Sequence, residues 1–386
     1  MPDRILLVQL ADLGDLILTT PAIAALRMTL PHAHLTLLTT AHTAAVLPSG
    51  LVDAVITLER QQFNSSRALF QPRNLRRLWA LGHYATIVYF HHFTLRAGTP
   101  KFALLALATR ARRRIGLQNG YGWFLTESIP DEGFGAQHQA DYWLKLVALL
   151  GADPASRPAT VATAALELLD TQRPRIVIHA GGGGYSTARR WQPAHFATVA
   201  NALHADLGAS IVLVGGANDD AAAVKAQMHV PALDLTGQTS VAQLAGVLRT
   251  ADVFIGAESG VLHLAAAVGV PLVAIFGPGN PAAWGAWTPT SAQITLQADV
   301  TCAPCMYVGH SLGLREGCAA RTCLKLITPE QVITAAKALL GDTQPSPLEI
   351  IDERVTGRGM IYHAPTATPG RITLLGLPVV AMTYPA

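Results

Sequence analysis

Charge is scarce in this chain of 386 residues: Asp, Glu, Lys and Arg together make 14% of it, and aromatic residues make 6%. So little charge, beside a hydrophobic half and 33 glycines, excludes a disordered or fibrous chain and suits a compact α/β enzyme of two domains. The net charge of +3 is too small to argue for a nucleic-acid partner. Long apolar runs are missing as well. The longest, Val261 to Phe276, is broken by His263, Gly269 and Pro271, so it is not a membrane span. No signal peptide is read: Asp3 and Arg4 precede Ile5 to Val8, too short an apolar core for one, and a cytoplasmic protein is expected. The first strand is followed by no G-x-G-x-x-G, and no Walker A lysine occurs anywhere, which argues against a dehydrogenase or a P-loop enzyme.

What is present centres on Ala251 to Trp284. Val253 to Gly256 has strand length and character. Glu258-Ser259-Gly260 is a polar turn, and Val261 to Val268 is rich in helix formers. Gly269 and Pro271 end that helix before a second strand, Leu272 to Phe276, so the segment is a βαβ unit of a parallel sheet. Ser259 and Gly260 fall where free N–H groups of a first helical turn point at the carboxyl end of the sheet, a place for a diphosphate. His263 shares their face at i, i+4 spacing. On residues alone, Ser259 reads equally as an N-cap and His263 as a satisfied core histidine.

Taken in order, strands are expected at Arg4 to Leu10, His34 to Thr39, Ala54 to Leu58 and Thr86 to Phe90, with helices between, in one doubly wound domain. Leu13-Gly14-Asp15 forms the turn after the first strand. Asp15 is there either a capping residue or a catalytic carboxylate. Asp153 to Thr163 lacks a period and connects to a second domain. This opens with the strand Arg175 to His179, the turn Gly181 to Gly184, then Arg189-Arg190-Trp191. Consecutive glycines let a backbone approach a ligand closely. Ile211 to Val214, Gly215-Gly216 with Asp219, and the loop at Thr239 complete a second Rossmann-like pattern. Arginines are frequent in the first third, among them Arg60 and Arg113. They suit an anionic acceptor, an anionic membrane surface, or simply solvated helix faces.

Gly14-Asp15, the Gly-rich turn before Arg189-Arg190-Trp191, Gly215-Gly216 and Glu258-Ser259-Gly260-Val261-Leu262-His263, in that order over residues 4 to 340, resemble glycosyltransferase family 9, the lipopolysaccharide heptosyltransferases. The resemblance implies a GT-B fold with two Rossmann-like domains facing an interdomain cleft: an acceptor-binding domain over 1–165 and a nucleotide-sugar domain over 175–340, followed by a tail over 341–386. It implies inverting transfer from a nucleotide-sugar, usually ADP-heptose, with no cofactor needed for catalysis. It implies that Asp15 is the general base and that Arg189, Glu258, Ser259, Gly260 and His263 hold the donor. Gly14, Gly183, Gly184, Asp219 and Thr239 are the other residues expected at the donor, and Arg60 and Arg113 are expected at an anionic glycolipid acceptor, with peripheral contact at the inner membrane. Arg189 stands where the family has lysine, Glu258 where it has aspartate, and Asp219 where it has glutamate. A non-catalytic nucleotide-sugar binder, a transferase using another nucleotide-sugar, and a sugar-nucleotide epimerase are the other readings.

All four cysteines lie in C-A-P-C and C-A-A-R-T-C, twelve residues apart. Paired thiols at this spacing suit a tetrahedral thiolate site at Cys302, Cys305, Cys318 and Cys323, or four reduced structural thiols. The resemblance extends to relatives that ligate iron this way, so the metal expected is structural zinc or iron. Ile327 to Leu340 is the last helix expected. From Gly341 to Pro369 the chain reads as flexible, with an apolar run from Ile372 to Met382.

Overall fold

The first strand, β1 (Arg4–Val8), carries four apolar residues in a row and buries all four. A strand covered on both faces is read as a continuous apolar run, the mark of a parallel sheet. In the computed structural model, which describes residues 3–58, 71–94, 98–166, 172–341 and the backbone of 359–363, the chain divides into two compact units, Met1–Ala162 and Thr163–Ala386.

The first unit holds β1, β2 (His34–Thr39), β3 (Ala54–Thr57), β4 (Thr86–Tyr89), β5 (Arg113–Gln118) and β6 (Glu127–Pro130) in one parallel sheet of order β3-β2-β1-β4-β5-β6. Its helices are α1 (Leu13–Thr29), α2 (Pro72–Trp79), α3 (Thr99–Thr109) and α4 (Gln139–Ala148). The strand order reverses between β1 and β4. With right-handed crossovers, this puts α1 on one face and α2 and α3 on the other. Leu78 of α2 and Phe102 and Leu105 of α3 accordingly share a core with Leu6, Val8, Ile87 and Tyr89.

Helix α1 starts at Leu13, earlier than its apolar pattern suggests. The reason is local: Asp15, at the third helical position, accepts the Asp12 N–H at 3.0 Å. That closes the reciprocal half of a capping box and draws Leu13-Gly14 into the first turn. Pro21 lies inside this helix and cannot donate to Ile17. The Thr20 hydroxyl takes that carbonyl instead, at 2.7 Å, and also accepts the Thr160 N–H at 2.9 Å.

The second unit holds β7 (Arg175–His179), β8 (Ser210–Val214), β9 (Leu233–Asp234), β10 (Val253–Ala257), β11 (Leu272–Phe276), β12 (Gln293–Gln297) and β13 (Gly359–His363), in the order β13-β12-β11-β10-β7-β8-β9. All pairings are parallel except β12 with β13. Its longer helices are α5 (Pro193–Leu207), α6 (Val241–Leu248), α7 (Gly260–Ala267) and α8 (Pro329–Leu339). Pro193 sits in the first turn of α5, where its missing N–H costs nothing. Trp191 anchors the core: it is 1% exposed, and its indole N–H donates to the Ile327 carbonyl at 3.0 Å.

Strand β13 corrects the reading of residues 341 to 369 as uniformly flexible: Gly359–His363 adds an antiparallel edge to the sheet. The run Ile372 to Met382 lies outside the described residues.

The double duty of Thr20 gives a direct expectation. Thr20→Val strips a carbonyl and an N–H of their partner in a buried place, so urea denaturation should show a loss of about 2 kcal/mol. A loss below about 0.5 kcal/mol would mean that the proline-containing turn is satisfied some other way.

Candidate active site

In an open α/β sheet, ligands settle at the carboxyl ends of the strands where the order reverses. In the second unit that point lies between β7 and β10. His179 ends β7, and Glu258 and Ser259 follow β10. All three are buried.

His179, 1% exposed, joins two of the expected donor residues. Its Nε2 is 3.1 Å from Asp219 Oδ2, and its Nδ1 is 3.1 Å from Ser259 Oγ. Asp219 Oδ2 also accepts the Gly216 N–H at 2.7 Å, so the carboxylate acts as an acceptor. The partners therefore assign the proton to Nε2, leaving Nδ1 to accept from the Ser259 hydroxyl. Ser259 Oγ in turn receives the Leu262 N–H at 3.3 Å as the N-cap of α7. Burial alone would raise the Asp219 pKa, but the hydrogen bond from His179, the Gly216 N–H and Arg190 hold it below its ordinary value. Gly181 is required here: a Cβ on it would lie 2.2 Å from Asp219 Oδ1 and 2.6 Å from His179 Nε2.

A second pair sits alongside. Arg189 Nη2 lies 3.2 Å from Glu258 Oε1 and 3.1 Å from the Tyr307 hydroxyl. The guanidinium also stands over two rings, 4.9 Å from the centroid of Tyr185 and 5.5 Å from that of Tyr307. A planar cation fits this slot, and the ammonium of a lysine would not stack in the same way. Glu258 is 2% exposed; burial pushes its carboxyl up, and Arg189 pulls it partly back. Glu258 Oε2 is buried with no hydrogen-bond partner, ready to accept from a ligand hydroxyl. A Cβ at Gly279 would come within 1.7 Å of that same atom.

The structure thus brings Gly183, Arg189, Asp219, Glu258, Ser259 and Gly260 to one edge, with the Gly183 backbone placed against Ser259. His263 is buried one turn into α7. Gly184 is exposed at the tip of its turn. Thr239 precedes Ser240, the N-cap of α6, in a loop whose Gly237 N–H bonds the Gly215 carbonyl at 2.9 Å. His179 and the two tyrosines are residues the motif pattern did not single out. A histidine ending a buried strand just before four glycines was the available signal for His179. Tyr307 carried none, because it comes from the cysteine loop far along the chain.

That loop is bound to the glycine turn. Arg315 Nε donates to the Tyr185 carbonyl at 2.5 Å, Arg321 Nη1 to that of Thr187 at 3.0 Å, and Ser186 Oγ to that of Arg315. Among the described residues no group of three or more His, Cys, Asp or Glu is arranged to hold a metal ion. The four thiols are near enough to act on each other: burial and then Cys318 and Cys302 push the Cys305 thiol up, and Cys323 is raised by burial and by the other three.

In the first unit the reversal lies between β1 and β4. Gly14 and Asp15, in the first turn of α1, follow β1 at this edge. Behind β4, β5 and β6 stands a buried network: His92 Nδ1 to Asp131 Oδ1 at 3.0 Å, His92 Nε2 to Gln139 Oε1 at 3.0 Å, and Asn119 Nδ2 to Asp131 Oδ2 at 2.9 Å. Arg113 is not at this edge. It begins β5 at the amino end of the sheet, and its guanidinium is spent on Glu127, with two contacts of 2.7 Å. Arg60 lies outside the described residues.

Residues 97–314, more than half of the chain, match the family model for glycosyltransferase family 9 (heptosyltransferase). The chain belongs to glycosyltransferase family 9. It is 26% identical over 303 residues to lipopolysaccharide heptosyltransferase 3 of Escherichia coli, covering 72% of this chain and 85% of that one. Its fold is similar to that of a family 9 glycosyltransferase from Veillonella parvula, with a TM-score of 0.66 at 24% identity over 88% of this chain and 98% of that one. It is also similar to E. coli ADP-heptose heptosyltransferase II, with a TM-score of 0.64 at 20% identity over 88% and 99%. The fold class is therefore that of the GT-B heptosyltransferases, and this family 9 chain is a glycosyltransferase. Among its described residues no helix is long and apolar enough to cross a membrane.

The Asp219 carboxylate gives a pH expectation with a definite sign. Its native pKa is lowered from the unfolded value of about 3.9, so its stabilisation is complete above that value and is lost as pH falls through the native one. Asp219→Asn should therefore show a shallower loss of stability on acidification than the wild type. Parallel stability-versus-pH curves for the two proteins below about pH 4 would contradict the assignment.

Proposed function

We propose that this chain transfers heptose from ADP-heptose, with inversion, to a hydroxyl of an anionic lipopolysaccharide-core acceptor. The observation that carries the reading is the arrangement around the second reversal: a charged pair, Arg189 and Glu258, beside a helix start capped by Ser259, with Asp219 joined to it through His179. Helix N–H groups and a fixed guanidinium stabilise the negative charge that a departing diphosphate develops. Glu258 Oε2, buried and unpartnered, suits a hydroxyl of the donor sugar. Asp219, at the turn after β8, suits the ribose.

In this reaction the acceptor oxygen bonds to the anomeric carbon while the bond from that carbon to the phosphate oxygen breaks and its electron pair leaves with ADP. Asp15 takes the proton of the acceptor hydroxyl. Its place after β1, oriented by the Asp12 N–H, supports that role. Gly14, Gly183, Gly184, Thr239, Gly260 and His263 complete the donor site in this reading. The acceptor lies along the inner-membrane face.

The two cysteine pairs, C-A-P-C and C-A-A-R-T-C, supply by donor chemistry the four thiols that a tetrahedral structural ion needs, and binding would draw them together. Cys302, Cys305, Cys318 and Cys323 would hold zinc or iron, and the loop they fix carries Tyr307 to Arg189.

Two measurements check these assignments. Asp15→Asn should cut turnover on the order of a hundredfold or more while leaving donor affinity unchanged; unaltered turnover removes Asp15 from the chemistry. Elemental analysis of purified chain should find one zinc or iron per molecule, and chelation should weaken nucleotide binding by loosening Tyr307. Four freely titrating thiols with no metal would overturn the site.

A further inference from the structure

Between Glu59 and Glu127 the sequence contains no Asp or Glu at all, while Lys and Arg recur throughout. The described part of this segment includes α2 and α3, which pack against each other on one face of the first sheet. Their outer surface carries more than charge. On α2, Arg73, Arg76 and Arg77 are exposed beside Trp79, which is 46% exposed. On α3, Leu107 is 66% exposed, and Arg110 and Arg112 follow it on the surface. The turn holding Trp123, 69% exposed, adjoins them. Arg114 joins the pieces by donating to the Phe124 carbonyl at 2.5 Å and to the Ala111 carbonyl at 3.2 Å. Beneath, Phe124 and Phe102 both pack edge-on against Tyr89.

Helix dipoles account for Arg76, Arg77 and Arg110, which stand at helix C-termini. They account neither for two exposed indoles and a leucine nor for the missing acids. Elsewhere the surface mixes signs, as in Arg27 with Asp53, Arg157 with Asp153 and Lys337 with Asp206. Indoles favour the boundary between headgroups and acyl chains, leucine reaches below it, and arginines pair with lipid phosphates.

We propose that the outer face of α2 and α3, with the Trp123 turn, docks this chain on an anionic phospholipid bilayer. Charge complementarity selects that occupant over a second copy of the same positive face, which would repel itself. The surface is distinct from the edge that carries Asp15 and uses no donor residue. Its test is therefore independent of the transferase reading, and either can fail without the other.

The test is flotation of the full chain with phosphatidylethanolamine vesicles containing phosphatidylglycerol, against phosphatidylcholine vesicles. The wild type should bind the anionic vesicles and release them as salt rises. A triple variant, Trp79→Ser with Leu107→Ser and Trp123→Ser, and a second, Arg73→Ser with Arg76→Ser and Arg112→Ser, should each lower the bound fraction about tenfold or more. All six positions are exposed, and unchanged thermal melts would show that both variants fold. Absence of wild-type binding, retention of the wild-type bound fraction by the variants, or a loss of self-association with vesicle binding intact would overturn the proposal.

Discussion

A carboxylate taken out of water must find a cation or take up a proton, and in this chain that constraint falls on Glu258. Its nearest cation is Arg189, which a short turn after the glycines delivers from the end of β7. The arginine is itself largely buried, so its position has to be over-determined. Two tyrosine faces, a phenol hydroxyl and the carboxylate supply that. Tyr307 belongs to the cysteine loop, and the loop is bound back onto Tyr185, Ser186 and Thr187. Removing one charge of a buried pair leaves the other uncompensated, at a typical cost of about 3–5 kcal/mol. Geometry at this edge and stability of the second unit therefore rest on the same contact. The exchange of lysine for arginine and of aspartate for glutamate is coherent in these terms, because the longer acid meets the broader cation.

The chemistry gathers where it does because each sheet, β13 apart, is parallel. Within each unit the parallel strands end on one edge of their own sheet, and the strand order reverses once, at β1 and β4 in the first unit and at β7 and β10 in the second. Helix starts and strand ends meet there, bringing N–H groups and polar turns together with no need for a loop to reach far. His179 shows the benefit. One imidazole, locked between Asp219 and Ser259, fixes the residue after β8 and the residue after β10 in a single geometry. Such second contacts give a binding edge its precision.

Much of this was legible in the residues. The segment from Val253 to Phe276 declared its strand, cap, helix and strand through apolar runs, Ser259 and Gly269, and the structure repeats it almost residue for residue. Strands β5 and β12 were harder. Arg113-Arg114 opens one and Gln293 the other, so neither is a clean apolar run. Helix α1 begins before its hydrophobic pattern because a side-chain hydrogen bond, invisible to periodicity, extends it. Charge alone groups Arg113 with acceptor arginines, and its pairing with Glu127 depends on a strand neighbour fourteen residues on. Tyr307 and His179 escaped for the same reason: their partners are set by tertiary contact. The glycine run after β7 is, in contrast, a sound guide at Gly181, where no Cβ fits.

The proposed function requires the carboxyl edge of the second sheet to hold an adenosine diphosphate carrying a sugar. Calorimetric titration of the full chain with ADP, UDP and ADP-heptose tests it most directly. ADP and ADP-heptose should bind, with the sugar adding affinity through Glu258, and UDP should bind more weakly. Equal affinity for all three, or binding of UDP alone, would contradict it.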